Sequence, residues 1–111
     1  MTILFFKVED VLNYPETEAV APDGRRGIAN DRVKTLRDEL TELGAGTQLV
    51  LYGDWAKDWN FDDEKCTESG RYLNKKLDRK GLHIMDKTTD EANPIKTYLE
   101  THHVDKYKVL A

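Results

Sequence analysis

Ile3-Leu4-Phe5-Phe6 is an uninterrupted apolar run close to the amino terminus, and it decides the fold. Such a run is typical of a strand buried on both faces, as in a parallel sheet covered by helices. Further short runs that suit strands follow at 48–51, 82–85 and 107–110. The last of them alternates in polarity, as edge strands do. The sequence therefore predicts a sheet of about four strands.

The segments between these strands carry helical patterns. The clearest has one apolar face, made by residues spaced three and four apart: Val33, Leu36, Leu40 and Leu43. Asn30 or Asp31 is expected to cap this helix, and Gly44 is expected to end it.

A second helix is predicted over 67–80 with Gly81 at its end, and a third begins at the pair Asn93-Pro94. Strands therefore alternate with helices in the order β-α-β-α-β-α-β. This order favours parallel strands joined by right-handed crossovers. We predict a three-layer α/β/α sandwich that forms a single domain over residues 1–111.

The composition is that of a folded globular protein, because 39% of the 111 residues are apolar and 34% are charged. The formal net charge of −4 is opposite in sign to that of most nucleic-acid-binding domains, so no direct nucleic-acid binding is expected. No apolar run approaches the roughly 20 residues that span a bilayer, and the amino terminus lacks a basic leader. We therefore expect a cytoplasmic protein that does not enter membranes. The single cysteine, Cys66, excludes an internal disulfide.

Ligands of open parallel sheets bind beyond the carboxyl ends of the strands. The first predicted strand is followed there by Lys-Val-Glu-Asp at 7–10, and the second by Tyr-Gly-Asp-Trp at 52–55. Two irregular segments, 13–29 and 52–64, are expected to form the rim around these ends. A loop as long as 13–29 is uncommon in a small domain and is often functional.

Three segments carry a resemblance to a known family: TILFFKVEDVLN at 2–13, LGAGTQLVLYGDW at 43–55 and ANPIKTYL at 92–99. They resemble haloacid dehalogenase (HAD)-like phosphohydrolases, and most closely the small HAD domains associated with RNA-repair proteins. Val11-Leu12-Asn13 and Trp55 are the most specific matches. The resemblance covers nearly the whole chain and implies a HAD-like, Rossmannoid parallel sheet in the strand order 3-2-1-4.

The same resemblance implies that the catalytic positions have changed. Lys7 stands where the family has its nucleophilic Asp, and an ammonium cannot attack phosphorus. Glu9 stands in place of the general acid/base Asp, and Asp10 in place of a glycine. The hydroxyl groups that would hold the phosphoryl oxygens are replaced by Tyr52-Gly53-Asp54.

The remaining motifs of the family have changed as well. Ala92 or Asn93 stands where the family carries a basic residue, and Ala111 stands at the first of the paired Asp that help to bind Mg²⁺. Loss of the nucleophile and the metal carboxylates removes both the attack and the charge neutralisation that phosphoryl transfer needs. We therefore expect a catalytically degenerate HAD-like protein that acts by binding, without a cofactor.

Such a protein would be an inhibitor or adaptor for a protein partner with a basic surface, for example a nucleic-acid-binding enzyme. Two alternatives stay open. One is a Mg-dependent phosphohydrolase with an altered active site, in which Glu9 or Asp54 works by a changed mechanism. The other is an engineered or truncated HAD derivative.

The rim offers candidate binding residues in two groups. The first lies in the aromatic and acidic stretch 52–64 and comprises Asp58, Trp59, Asp62 and Asp63. The second is Arg25-Arg26 in the long loop, a pair that would hold a phosphate or an acidic partner, or else be simply solvated. Trp55 and Phe61 are expected to pack in the core, which leaves Trp59 as the exposed aromatic anchor.

Two further expectations concern charge. Lys7 is expected to pair with Glu9 or Asp54, in the place of a metal ion. His83, His102 and His103 have no cysteine or carboxylate at ligand spacing, so no metal site is expected.

Overall fold

A computed structural model describes all residues from Met1 to Ala111. Its strands and helices follow one another in strict alternation: β1 (Thr2–Phe6), α1 (Asn30–Leu43), β2 (Gln48–Leu51), α2 (Glu68–Asp78), β3 (Ile84–Lys87), α3 (Pro94–Thr101) and β4 (Lys106–Val109). Two short 3-10 helices, Asp54–Lys57 and Asp63–Lys65, lie between β2 and α2.

The four strands form one parallel sheet in the order β3-β2-β1-β4. The number of strands is as the sequence pattern predicts, and their order is the one expected from the resemblance. Phe5 lies at the centre, opposite Val50 of β2 on one side and Val109 of β4 on the other. The apolar run at 3–6 is completely buried, because it occupies a central strand that is covered on both faces.

Helices cover the two faces of the sheet unequally. Leu4 and Phe6 point to the larger core, which includes Val33 and Leu36 of α1 and Leu73 of α2. On the opposite face a smaller core holds Ile3, Phe5 and Val50 against Tyr98 of α3. The three layers of an α/β/α sandwich are therefore confirmed, with α1 and α2 on one side and α3 on the other.

The predicted cap of α1 is wrong, although the helix itself is confirmed. Ala29 occupies the N-cap position, and neither Asn30 nor Asp31 gives a capping hydrogen bond from its side chain. Gly44 ends the helix as predicted; its φ of 102° lies in the left-handed region, and its N–H donates to Thr41 O.

The boundaries of α2 and β3 differ from the predicted ones by a few residues. Thr67 is the N-cap of α2, and its hydroxyl oxygen accepts a hydrogen bond from Gly70 N. At the other end, Leu82 N–H donates to Leu77 O at 3.0 Å, so Leu82 completes the end of the helix. The strand predicted over 82–85 therefore begins only at Ile84.

The start of α3 is held by a residue that sequence analysis did not select. Asn93 occupies the N-cap position, and Pro94 is the first helical residue, but the Asn93 side chain gives no capping bond. The side chain of Asp90 caps the start of the helix instead. Its carboxylate accepts hydrogen bonds from Ala92 N, from Asn93 N and, at 2.6 Å, from Thr97 Oγ1.

The long loop over 13–29 is fixed to the core by Asn13, whose side chain is buried. Asn13 Nδ2 donates to Gly27 O at 3.1 Å, and its Oδ1 accepts from Asp10 N. Val20 and Arg26 form an isolated antiparallel bridge within the loop. None of the three helices combines the length and the apolar sequence needed to span a bilayer.

Candidate functional site

The candidate site is the carboxyl edge of the sheet, where all four strands end side by side. Lys7 follows β1, Tyr52 follows β2, Thr88 follows β3 and Leu110 follows β4. Because the strands are parallel, these residues lie at the same edge, where ligands of such sheets bind.

Lys7 and Glu9 lie half-buried at the centre of this edge, and the expected pairing of Lys7 is wrong. Asp54 pairs with Arg25 and with Lys57, each at 3.0 Å, and no ion pair joins Lys7 to Glu9 or to Asp54. Glu9 Oε1 is buried and has no hydrogen-bond partner. The edge thus contains an ammonium and a carboxylate that the protein itself does not neutralise by direct contact.

Gly53 permits the close approach of β2 to this pair. Its φ of 87° lies in the left-handed region, which side chains disfavour. A Cβ at this position would come within 3.1 Å of Lys7 Cβ and 3.3 Å of Glu9 Oε2. The glycine predicted to replace a phosphate-binding hydroxyl is therefore required by packing around Lys7.

Tyr52 covers the end of β1. Its hydroxyl donates to Leu110 O at 2.8 Å, so the side chain reaches from the end of β2 to the residue after β4, across the intervening strand. Burial, together with the nearby Glu9 carboxylate, raises the pKa of Tyr52 above its ordinary value. The phenol stays protonated and engaged with the backbone, so it is not a free group for a ligand.

Arg25 joins the long loop to the segment after β2. Its guanidinium contacts Asp23 at 2.6 Å, Asp54 at 3.0 Å and Asp58 at 2.6 Å. It also lies over the ring of Trp55, 4.2 Å from the centroid, in a cation–π contact. The sequence had suggested that Arg25 is either an anion-binding group or simply solvated, and both suggestions are wrong. Its side chain instead links the long loop to the segment after β2.

Arg26 behaves differently from its neighbour. Its side chain is exposed and takes part in no ion pair, while its backbone forms the bridge to Val20. The two arginines therefore do not act as a pair. Arg25 is engaged by acids of the rim, and only Arg26 is available to a partner.

Asp58 is not a surface acid as predicted, because only 8% of the residue is exposed. One oxygen is paired with Arg25, and the other accepts a hydrogen bond from Thr67 Oγ1 at 2.8 Å. Its backbone carbonyl accepts from Thr67 N, and a Cβ on Gly70 would collide with that carbonyl. Asp58 therefore fixes the start of α2 against the rim.

The roles predicted for the two aromatics after Trp55 are reversed. Trp59 is only 4% exposed, and its Nε1 donates to Asn74 Oδ1 at 3.0 Å, whereas Phe61 is 73% exposed. The two rings meet edge to face with centroids 6.4 Å apart. Trp55 is buried, as predicted. Phe61, and not Trp59, is the exposed aromatic of the rim.

Phe61 is followed by three exposed acids, and we call residues 61–64 the acidic loop. Asp62 caps the second 3-10 helix by accepting from Glu64 N at 3.1 Å, and Asp63 accepts from Asn74 Nδ2 at 3.2 Å. The side chain of Glu64 makes no hydrogen bond and no ion pair within the protein. Local hydrogen bonds therefore fix the backbone of the loop while its carboxylates remain on the surface.

Lys87 is a structural residue of the rim that sequence analysis missed. Its Nζ donates to Ala56 O at 3.0 Å and to Trp59 O at 2.5 Å, so it satisfies two backbone carbonyls at and just after the first 3-10 helix. The third strand was predicted to end at Met85, so the sequence pattern did not place Lys87 at the edge of the sheet. Beside it, a cleft of about 280 Å³ opens between residues 53–57 and 88–94.

Two carboxylates at the rim, Asp54 and Asp23, make the free energy of unfolding depend on pH in the acidic range. The Lys57 ammonium hydrogen-bonded to Asp54, with help from Arg25, holds the pKa of that carboxyl below 3.8. The Arg25 backbone N–H, together with its side chain, lowers the pKa of Asp23 in the same direction. A carboxyl with a depressed folded-state pKa stabilises the fold above its unfolded pKa, and this contribution is lost as the pH falls through the folded pKa.

We therefore expect that Asp54 and Asp23 do not change the urea midpoint of unfolding between pH 7 and 5. When the pH is lowered below about 4, the urea midpoint should decrease. In Arg25→Met the decrease of the urea midpoint below pH 4 should be smaller than in the parent, because Arg25 no longer lowers the pKa of Asp54 and Asp23. An identical acid dependence in the parent and in Arg25→Met would contradict this assignment.

No protein-family model, curated protein or solved structure matches the chain. The class that the fold defines is a Rossmann-like α/β sandwich with a four-stranded parallel sheet.

Proposed function

We propose that the protein is a catalytically degenerate HAD-like domain that acts by binding a partner protein with a basic surface. The observation that carries the proposal is the position of Lys7, directly after the central strand β1. Nucleophilic transfer of a phosphoryl group at this edge needs a group that can attack phosphorus, and a lysine ammonium has no free electron pair to do so.

The contacts of the neighbouring acids support the same conclusion. Asp54 and Asp58 are both held by the Arg25 guanidinium, and Tyr52 is bonded to the backbone after β4. These side chains stabilise the rim and are not free to replace the missing nucleophile. Glu9 and Lys7 both lie close to Gly53, so the carboxylate at the centre of the edge shares its surroundings with a cationic side chain.

The acidic loop is the surface that this arrangement leaves for a partner. Phe61 projects an exposed ring, and Asp62, Asp63 and Glu64 follow it immediately. Exposed acids speed the encounter with a basic partner, and an aromatic ring that becomes buried supplies an anchor. Nucleic-acid-binding enzymes carry basic surfaces of this kind, so an inhibitor or adaptor of such an enzyme is the role we propose.

The test uses a partner captured from the source cell on the immobilised chain and then purified. Phe61→Ala is expected to weaken binding by at least ~2 kcal/mol, about 30-fold in Kd, mainly through faster dissociation. The double variant Asp63→Lys/Glu64→Lys is expected to slow association and to flatten its salt dependence.

The matched control is Asp38→Lys/Glu42→Lys, which changes the net charge equally on exposed residues of α1. It should leave the kinetics close to those of the parent. If the two loop variants keep the parent's melting temperature and also its Kd, the acidic loop is not the interface.

A further inference from the structure

The outer edge of β4 is unusually open. β4 is the last strand of the sheet, bonded to β1 on one side only, and all four of its residues are exposed. In the other edge strand, β3, the side chain of Ile84 is buried in the core and only Met85 is exposed. An uncovered strand edge presents a row of backbone donors and acceptors to any extended segment.

The direction of the backbone groups follows from the ladder with β1. Leu110 N–H donates to Phe5 O at 2.9 Å, so Leu110 faces β1. Successive residues of a strand point their N–H and C=O groups to opposite sides, which places those of Lys106 and Lys108 toward β1. The N–H and C=O groups of Tyr107 and Val109 therefore face the open edge.

The same two residues carry exposed apolar side chains. Tyr107 is 50% exposed and Val109 is 38% exposed. Tyr107 lies on the α3 side of the sheet, where its ring meets that of Phe5 edge to face with centroids 6.0 Å apart. Burial of these side chains would add a hydrophobic contribution to any backbone pairing.

The two lysines of β4 lie on the other face. Lys108 Nζ bonds to Glu39 of α1 at 2.5 Å, which places it on the α1 side, and Lys106 follows the same alternation. Lys106 is exposed and has no acidic partner. Pairing of this edge with a second copy would set lysines beside lysines, which disfavours self-association.

We propose that the free edge of β4 binds an extended segment of a partner protein in which apolar residues alternate with acidic ones. The segment adds a fifth strand to the sheet. Its apolar side chains pack beside Tyr107 and Val109, and its acidic side chains lie on the face of Lys106, the lysine of β4 that has no acidic partner. This is β-strand addition, in which the backbone supplies affinity and alternate side chains supply specificity. The surface is independent of the acidic loop and of the function proposed for it.

The probe is the capped hexapeptide (Val-Glu)₃, with (Val-Lys)₃ as the control of equal β propensity and opposite charge. Hydrogen exchange followed by NMR reports on single amides. Saturating (Val-Glu)₃ should slow the exchange of the Tyr107 and Val109 amides by at least about tenfold, because these N–H groups become hydrogen-bonded. Amides of β3 should not change, and (Val-Lys)₃ should bind more weakly.

Two variants separate backbone pairing from charge. Val109→Pro removes an outward N–H that makes no bond to β1, and proline is tolerated on such an edge. It should weaken (Val-Glu)₃ binding by about fivefold or more, the equivalent of one hydrogen bond of about 1 kcal/mol. Lys106→Glu removes the unpaired lysine and should reverse the preference between the two peptides, a result that does not depend on how Val109→Pro folds.

Three results would overturn the proposal. The first is unchanged exchange at Tyr107 and Val109 in millimolar (Val-Glu)₃. The second is equal binding of the two peptides to the parent chain. The third is a dimer of the parent that Val109→Pro dissociates, because it would show that a second copy occupies the edge.

Discussion

Replacement of Trp59 with Ala is expected to lower the free energy of unfolding by about 3–5 kcal/mol, the range measured for removal of a buried large aromatic. The ring is almost fully buried in the larger core, and its N–H bonds to Asn74 Oδ1. Truncation leaves a cavity and an unpaired amide oxygen at once. Urea unfolding monitored by circular dichroism measures the change.

The matched variant is Phe61→Ala, two residues later. Its ring is largely exposed, so we expect a loss of less than about 1 kcal/mol. The ratio between the two effects tests the assignment of Trp59 to the core and Phe61 to the surface. Equal losses, or a larger loss for Phe61→Ala, would contradict it.

Replacement of Arg25 with Met is expected to cost about 2–4 kcal/mol, somewhat less than a fully buried pair, because part of the guanidinium is solvated. The cost arises chiefly at Asp58, which is buried and would lose its cationic partner. Met keeps much of the side-chain volume over Trp55, so the change reports mainly on charge.

Arg26→Met is the control, since this exposed neighbour has no ion pair; we expect less than about 0.5 kcal/mol. In addition, Asp58→Asn introduced into Arg25→Met should recover part of the loss, because it removes the unpaired charge and retains an acceptor for Thr67. A double variant less stable than Arg25→Met would show that the cost does not come from the isolated carboxylate.

The strands and helices were predictable because their determinants are local and strong, whereas the order of the strands in the sheet was expected only from the family resemblance. The continuous apolar run at 3–6 suits only a strand covered on both faces, and glycines such as Gly44 mark the ends of helices. Capping was less predictable, because the carboxylate that holds the start of α3 belongs to Asp90, outside the position that a cap normally occupies.

The side-chain roles at the rim were the least predictable. The stretch from 52 to 64 has no helix or strand periodicity, so nothing in the sequence distinguishes the inward ring of Trp59 from the outward ring of Phe61. The Arg25 cluster joins residues 29 and 33 positions apart, and no local pattern encodes such a contact. Lys87 was missed because its partners are backbone carbonyls, which every residue offers equally.

The central claim, that the carboxyl edge binds and does not transfer phosphoryl groups, is tested most directly by turnover. The substrates are a generic aryl phosphate and oligonucleotides with 3′- or 5′-phosphates, with Mg²⁺ present. We expect no hydrolysis above background by the parent, and none by Lys7→Asp, because the hydroxyl groups that would hold the phosphoryl oxygens and the carboxylates that would bind Mg²⁺ are still missing. Turnover by the parent at ~1 s⁻¹ or above, a rate typical of enzymes, that Lys7→Ala abolishes would contradict the claim.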